Sequence, residues 1–344
     1  MERTILAVHG GAGTLQRGVM TPEQEAAHRA ALEAALVAGH LVLKAGGSSV
    51  DAVVAAVVAL ENCPLFNAGR GSVFTHAGTH EMDAAVMEGH TGRAGAVAGV
   101  SRIRNPVEAA RRVMGRSTHV LLSGAGAEQF AIDEGLALEP PEYFHTDFRW
   151  QQLVAVRDTG RALLDHDGAA LLRQQAPADS SRLINGEHKF GTVGAVARDA
   201  NGHLAAATST GGLTNKRHGR IGDSPLIGCG TFADTRVAVS ATGTGEAFIR
   251  AVAAHDVAAR MKYGHAMVDE AARTVVNDVI PSQGGSGGLI AVDADGRVSM
   301  PFNTEGMYRG VIQADGKSGM STSIGRRRRV ASIERRAHAC RDEA

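Results

Sequence analysis

The sequence predicts an α+β fold in which β-sheets pack between layers of helices. One observation is a pair of stretches that read as β-hairpins. Residues 192–210, TVGAVARDANGHLAAATST, place Asn201-Gly202 in the turn, and residues 287–307, GGLIAVDADGRVSMPFNTEGM, place Asp295-Gly296 there. The other is the pair of helical segments between them, Glu246–Tyr263 and Ala266–Val279. Apolar strands and helices that alternate in this way bury one another's faces, which gives layers.

The remaining elements follow in order. Residues 4–8 read as a buried first strand that ends at the turn HGGAG. A helix then starts with Thr21 as cap, Pro22 in its first position and Glu23 and Glu25 in its first turn, and Gly46 stops it. Ser49 caps a second helix, Val50–Glu61, apolar on almost every side and therefore buried. Residues 62–95 read as Gly-rich and irregular. Asn105-Pro106 opens a further helix, and the apolar run 119–122 is a strand. Periodicity is lost over 165–191, where RQQAPADSSRLINGEHK is polar and reads as an exposed linker ending at Thr192.

At 344 residues, 44% hydrophobic and 21% charged, the chain has material for one large layered domain or two ordinary ones. A formal net charge of zero gives no global electrostatic case for nucleic acid or membrane. The tail 326–344 differs, with seven Arg against Glu334, Asp342 and Glu343, and reads as a solvated terminus. Cys63, Cys229 and Cys340 are odd in number and widely spaced, matching neither a zinc site nor a disulfide framework, so a cytoplasmic protein is expected. The first apolar run meets glycines too soon for a signal peptide, and Ala52–Leu60 is too short to span a membrane.

Several motif matches fail on context. Ser286 in GGSGG has a helix before it and a strand after it, the reverse of a nucleophile elbow. Gly316-Lys317-Ser318 lacks the upstream glycine of a phosphate loop, since Val311 stands there. His76 and His80 are four apart but have no predicted helix and no third ligand. The strongest constellation begins at Thr192, between a polar linker and an apolar strand. STGGLTNKRHGRIGDSP adds Thr210, Arg220 and Asp223, and ATGTGE adds Thr242, Gly243 and Gly245. Singly, each has an ordinary structural account.

Taken together, HGGAG, CPLFNAGRGSVFT, GTVGAVA, STGG-TNK, GR-GDSP, TGTGE, GGSGGLI and PFNTEGM, in that order over residues 4 to 309, resemble the plant-type asparaginases, the isoaspartyl aminopeptidases. The resemblance implies N-terminal-nucleophile hydrolases with a four-layer αββα sandwich. It implies a precursor that cuts itself at Gly191-Thr192 into an α chain, 1–191, and a β chain, 192–344, which together form one structural domain. Thr192 is then nucleophile, and its freed α-amine, with a reference pKa of about 7.7–8.0, is the base. Thr210 orients the hydroxyl, and Thr242 with the Gly243 amide forms the oxyanion hole. Arg220 grips a substrate carboxylate, Asp223 takes its ammonium, and Gly245 leaves room for it.

The substrates implied are L-asparagine and β-aspartyl dipeptides. No catalytic cofactor is implied. A structural sodium ion is, held by the backbone carbonyls of Leu60, Glu61, Cys63, Phe66, Ala68 and Arg70, with Asn67 bracing the active site. Self-association as (αβ)2 is implied as well. The linker is somewhat long for such proteins, and the resemblance fades beyond about residue 315. Two other readings remain: a glycosylasparaginase-like hydrolase, and a non-catalytic or nucleic-acid-binding scaffold using the basic tail.

Overall fold

The structure, a computed structural model, describes residues 4–13, 20–159, 191–314 and 319–325. The linker before Gly191 and the basic tail from 326 therefore lie outside the described residues. Twelve strands among the described residues form two stacked sheets. The larger has eight strands in the order β12-β11-β1-β5-β6-β2-β3-β4, the smaller four in the order β10-β9-β8-β7. In the larger sheet these are β1 Thr4–Gly13, β2 Met82–Glu88, β3 Ala94–Val100, β4 Leu121–Ser123, β5 Val193–Arg198, β6 Leu204–Thr210, β11 Gly306–Ala314 and β12 Gly319–Gly325. The smaller holds β7 Thr231–Ala233, β8 Val237–Gly243, β9 Gly287–Asp293 and β10 Val298–Ser299.

Three apolar clusters define four layers. The first packs helices α1 (Pro22–Lys44), α2 (Ser49–Glu61) and α3 (Pro106–Arg116) on the larger sheet, through Leu36, Val53 and Val113 among others. The second lies between the sheets, with Ile5, Val196, Ala206, Ile290 and Val292. The third packs α7 (Gly245–Ala251), α8 (Ala253–Tyr263) and α9 (Val268–Thr274) on the smaller sheet, through Phe248, Val257 and Ala271. The expected αββα order is what these clusters produce. Shorter helices α4 (Gly124–Asp133), α5 (Pro141–Phe144) and α6 (Asp147–Val156) complete the first half, and α10 (Ile280–Ser282) precedes β9.

Both expected hairpins form, β5–β6 and β9–β10, the second strand of the latter only two residues long. Thr21 caps α1 in a capping box with Gln24, and Gly46 follows the helix end at φ +80. Five expectations change. Ser48, not Ser49, caps α2, its Oγ accepting from the Asp51 amide at 3.1 Å. The first strand does not end before HGGAG but runs through it, because β11 and β5 pair with it on both sides and a register shift between His9 and Ala12 absorbs the glycines. Residues 62–95 are not all irregular. Met82–Glu88 is β2, buried along its whole length, so its MDAAVME shows no period of two. The segment 246–263 is two helices, broken at Val252, whose φ is +47. The segment 266–279 also changes character partway, with a π turn at Val275–Val279.

Candidate active site

Strand order brings the distant motifs to one place. Thr192 immediately precedes β5, a central strand flanked by β1 and β6, Thr210 ends β6, and Thr242-Gly243 ends β8 in the facing sheet. The turn after β6 returns Arg220 and Asp223 to the same point, and Gly245 opens α7 beside them. A cavity there is lined by Gly191, Thr192, Thr210, Arg220, Asp223 and Gly243, together with Ala12, Gly212, Leu213, Gly222 and Ser224.

The Thr192 hydroxyl donates to Thr210 Oγ1 at 3.2 Å, and Ser224 Oγ lies 3.4 Å from it. Both threonines are buried. The Thr242 hydroxyl stands over Gly191, where an added Cβ would come within 3.2 Å of it. Gly243 has φ +147, and a side chain there would meet Ser286 O at 2.3 Å, so this backbone turn requires glycine. Gly11, at φ +107, lies against the Gly191 backbone, 2.6 Å from its nitrogen to an added Cβ. Gly11 of HGGAG thus lets β1 approach the bond before Thr192.

A guanidinium and a carboxyl group line the same cavity. Arg220 gives Nε and one Nη2 hydrogen to Glu246, at 2.9 and 3.0 Å. Its Nη1, next to Gly222, and the second Nη2 hydrogen are left as a fork toward the cavity. Asp223 is buried and its Oδ2 has no hydrogen-bond partner among the described residues. Burial pushes its carboxyl up to about 7, against its own backbone amide and Arg220. Gly245 lies between them, since a Cβ there would sit 2.7 Å from Arg220 Nη2 and 2.9 Å from Asp223 Oδ1.

His9 is fully buried against the Thr192 backbone, but burial lowers it to about 3, and its Nε2 lies 2.9 Å from Ser240 Oγ. It is a neutral structural imidazole in a hydroxyl ladder: Ser240 Oγ lies 2.7 Å from Thr208 Oγ1, and the Thr231 hydroxyl donates to Thr208 Oγ1 at 2.6 Å. Asn67 braces the turn after β6, donating Nδ2 to Gly212 O at 2.8 Å and accepting from the Val73 amide at 3.0 Å.

The loop Asn62–Gly71 is tight enough that a Cβ on Gly69 would lie 2.5 Å from Glu61 O and one on Gly71 would lie 2.0 Å from Phe66 O. The carbonyls of Leu60, Cys63, Phe66 and Ala68 each accept one loop amide, at 3.2, 3.4, 3.0 and 3.2 Å, which leaves each a second lone pair. The Glu61 side chain turns away, accepting from Ser209 Oγ at 2.6 Å, Val107 N at 3.0 Å and Asn105 Nδ2 at 3.1 Å. Only its carbonyl therefore remains for the loop. A neutral all-oxygen set of this kind fits a hard cation. His76 and His80 serve other contacts, with Asn215 Oδ1 at 2.9 Å and Val73 O at 3.3 Å.

The sequence reading did not single out Glu246 or Ser224. Both sit inside motifs it quoted, TGTGE and GDSP, but nothing in those letters says that Glu246 faces Arg220 or that Ser224 faces Thr192.

Among the described residues no helix is long and apolar enough to cross a membrane. The family model described as asparaginase matches residues 2–322. The chain is 54% identical over 310 residues to an isoaspartyl peptidase of Salmonella typhimurium, covering 90% of this chain and 95% of the relative. It is 54% identical to an isoaspartyl peptidase of Escherichia coli, with 90% and 92% covered. It is 41% identical to an isoaspartyl peptidase/L-asparaginase of Rattus norvegicus, with 85% and 81% covered. With these matches spanning nearly the whole chain, and the threonines, arginine and aspartate around one cavity, the protein belongs to the asparaginase family of hydrolases.

Proposed function

We propose that this protein cuts itself between Gly191 and Thr192 and then hydrolyses L-asparagine and β-aspartyl dipeptides. The observation that carries this is the Thr192 hydroxyl bonded to Thr210 in one cavity with the Arg220 fork and the buried Asp223 carboxyl, whose Oδ2 has no hydrogen-bond partner among the described residues. In the precursor the hydroxyl attacks the Gly191 carbonyl, with Thr242 beside it to receive the developing oxyanion. The Gly191–Thr192 C–N bond breaks as that intermediate collapses, which frees the amine and leaves an ester on the Thr192 oxygen, and water then hydrolyses the ester to restore the hydroxyl. That amine takes the hydroxyl proton as the hydroxyl attacks the substrate's side-chain amide carbon, ammonia or an amino acid leaves with that proton, and water then cleaves the β-aspartyl ester on Thr192, which releases aspartate and restores the hydroxyl. Arg220 holds the substrate's α-carboxylate and Asp223 its α-ammonium, which fixes the amide carbon over Thr192.

The test is aspartate release by purified, incubated protein from L-asparagine and from a β-aspartyl dipeptide. Release from neither sinks the proposal. The pH dependence checks the Asp223 role. Only the carboxylate attracts an ammonium, and with its carboxyl at about 7 the charged form is gained as pH rises through that value. KM is therefore expected to fall about tenfold between pH 6 and pH 8, the change in the ionised fraction of a group near 7. A KM flat across that range argues against Asp223 as the ammonium partner.

We also propose that the loop carbonyls hold a sodium ion, which would tie the end of α2 to Asn67 and so to the turn after β6. Replacing sodium by a bulky organic cation is expected to lower the melting temperature. An unchanged melting curve removes the ion from the account.

A further inference from the structure

Beneath the reversal that carries Thr210 lies a buried ion cluster with no part in the chemistry above. The Lys216 side chain is 1% exposed, and its Nζ donates to Glu81 O at 2.6 Å and lies 3.8 Å from Glu81 Oε2. Asp83, 0% exposed, stands on β2 directly opposite Thr210 in register. Its Oδ1 accepts from the Gly99 amide at 2.8 Å, while Oδ2 has no hydrogen-bond partner among the described residues. Burial pushes Lys216 down and Asp83 up, and their mutual attraction opposes both shifts. A buried ammonium is costly, and truncating one partner of such a pair leaves the other uncompensated.

The contact that matters is with the turn. A Cβ on Gly212 would lie 3.0 Å from Lys216 Nζ and 3.2 Å from its Cδ, so the lysine packs directly against this glycine. The Gly212 amide donates to Thr210 Oγ1 at 3.0 Å, and Thr210 Oγ1 receives the Thr192 hydroxyl at 3.2 Å. From Lys216 to the nucleophile there are thus two intervening residues, each joined by a direct contact.

We propose that Lys216 is a positioning residue of this active site, its buried ammonium propping the Gly211-Gly212 reversal that holds Thr210 against the Thr192 hydroxyl. The proposal rests on Thr192 being the nucleophile. Its charge has a second effect. The charged side chains around Thr192 are Arg220, Asp223 and Glu246 on the cavity side and Asp83, Glu81 and Lys216 beneath, with His9 neutral. Removing Lys216 makes these surroundings more negative, so the Thr192 ammonium keeps its proton to higher pH. Removing the Asp83 charge does the opposite.

The experiment compares wild type, Lys216→Met and Asp83→Asn, with cleavage verified by N-terminal sequencing and turnover of L-asparagine expressed per cleaved site. Lys216→Met is expected to lower kcat roughly 10- to 100-fold, the cost of displacing a reacting group by up to about 1 Å. KM should stay within about threefold, since the Arg220 and Asp223 contacts remain. The acid limb of kcat should move to higher pH in Lys216→Met and to lower pH in Asp83→Asn. A role confined to stability moves the melting temperature and leaves both limbs in place, and that result overturns the proposal. So does a folded, cleaved Lys216→Met with wild-type kcat. If Lys216→Met does not fold, the direction of the Asp83→Asn shift decides. A wild type that stays whole overturns the nucleophile, and this proposal with it, whereas an active wild type beside an unaffected Lys216→Met overturns the positioning role alone.

Discussion

Replacing Thr192 by alanine is expected to leave the purified chain whole at 35.7 kDa and without activity on L-asparagine or β-aspartyl dipeptides. Wild type, incubated at neutral pH, should instead give two pieces. Scaling the mass by the residues on either side of the Gly191-Thr192 bond predicts about 20 and about 16 kDa, the smaller beginning Thr-Val-Gly-Ala. The effect is total because one residue supplies both functions. Without its hydroxyl there is no attack on the Gly191 carbonyl, and without that cut there is no free amine to act as base. Among the described residues no other side chain near Thr192 is placed to substitute. Ser224 lies 3.4 Å from the Thr192 hydroxyl but carries no adjacent base, and His9, held near 3 by burial, bonds Ser240. Intact mass and N-terminal sequencing read the outcome directly. A mutant that is still cut at this bond, or still turns over substrate, removes Thr192 from the mechanism.

Arg220→Lys is expected to lower kcat/KM about 100-fold, and the conservative charge is the reason it is informative. Arg220 is committed on one edge to Glu246, through Nε and Nη2 at 2.9 and 3.0 Å, and offers its other edge to the cavity. A lysine has one nitrogen at the end of a flexible stem, so it cannot pair Glu246 and grip a carboxylate bidentately at once. Losing one partner of a partly buried charge pair costs about 2–5 kcal/mol, and about 2.8 kcal/mol is 100-fold. The loss should appear in KM as well as kcat, because a loosened carboxylate lets the amide carbon drift from Thr192. A Lys variant within about threefold of wild type would mean that the α-carboxylate is held elsewhere. Cleavage at Thr192 should persist in this variant, since no substrate carboxylate takes part in it, and that separates misfolding from lost recognition.

Much of the molecule was legible from residue order alone. Asn201-Gly202 and Asp295-Gly296 after apolar runs marked both hairpins, and Thr21, Pro22 and Gly46 marked the ends of α1, because turns and caps are local chemistry read from a few letters. Thr192, Thr210, Arg220, Asp223, Thr242 and Gly243 were named from their motifs, and all of them line or border one cavity. What stayed hidden was hidden for physical reasons. β2 carries no alternation because both its faces are buried between a helix layer and the second sheet, so the period that betrays a half-buried strand is absent. HGGAG reads as a turn by composition, and only pairing with β5 and β11 makes it a strand with an irregular register.

The sequence by itself determined which residue types are present to do the chemistry and the local breaks that set most elements. Tertiary structure decided their pairings. That Glu246 occupies one edge of Arg220, that Ser224 faces Thr192, and that Lys216 and Asp83 lie near enough under the Thr210 turn to act on each other electrostatically all depend on segments far apart in the chain lying side by side. The same holds for Asp223, whose carboxyl reaches about 7 through burial, a property of packing around it and not of its neighbours in sequence.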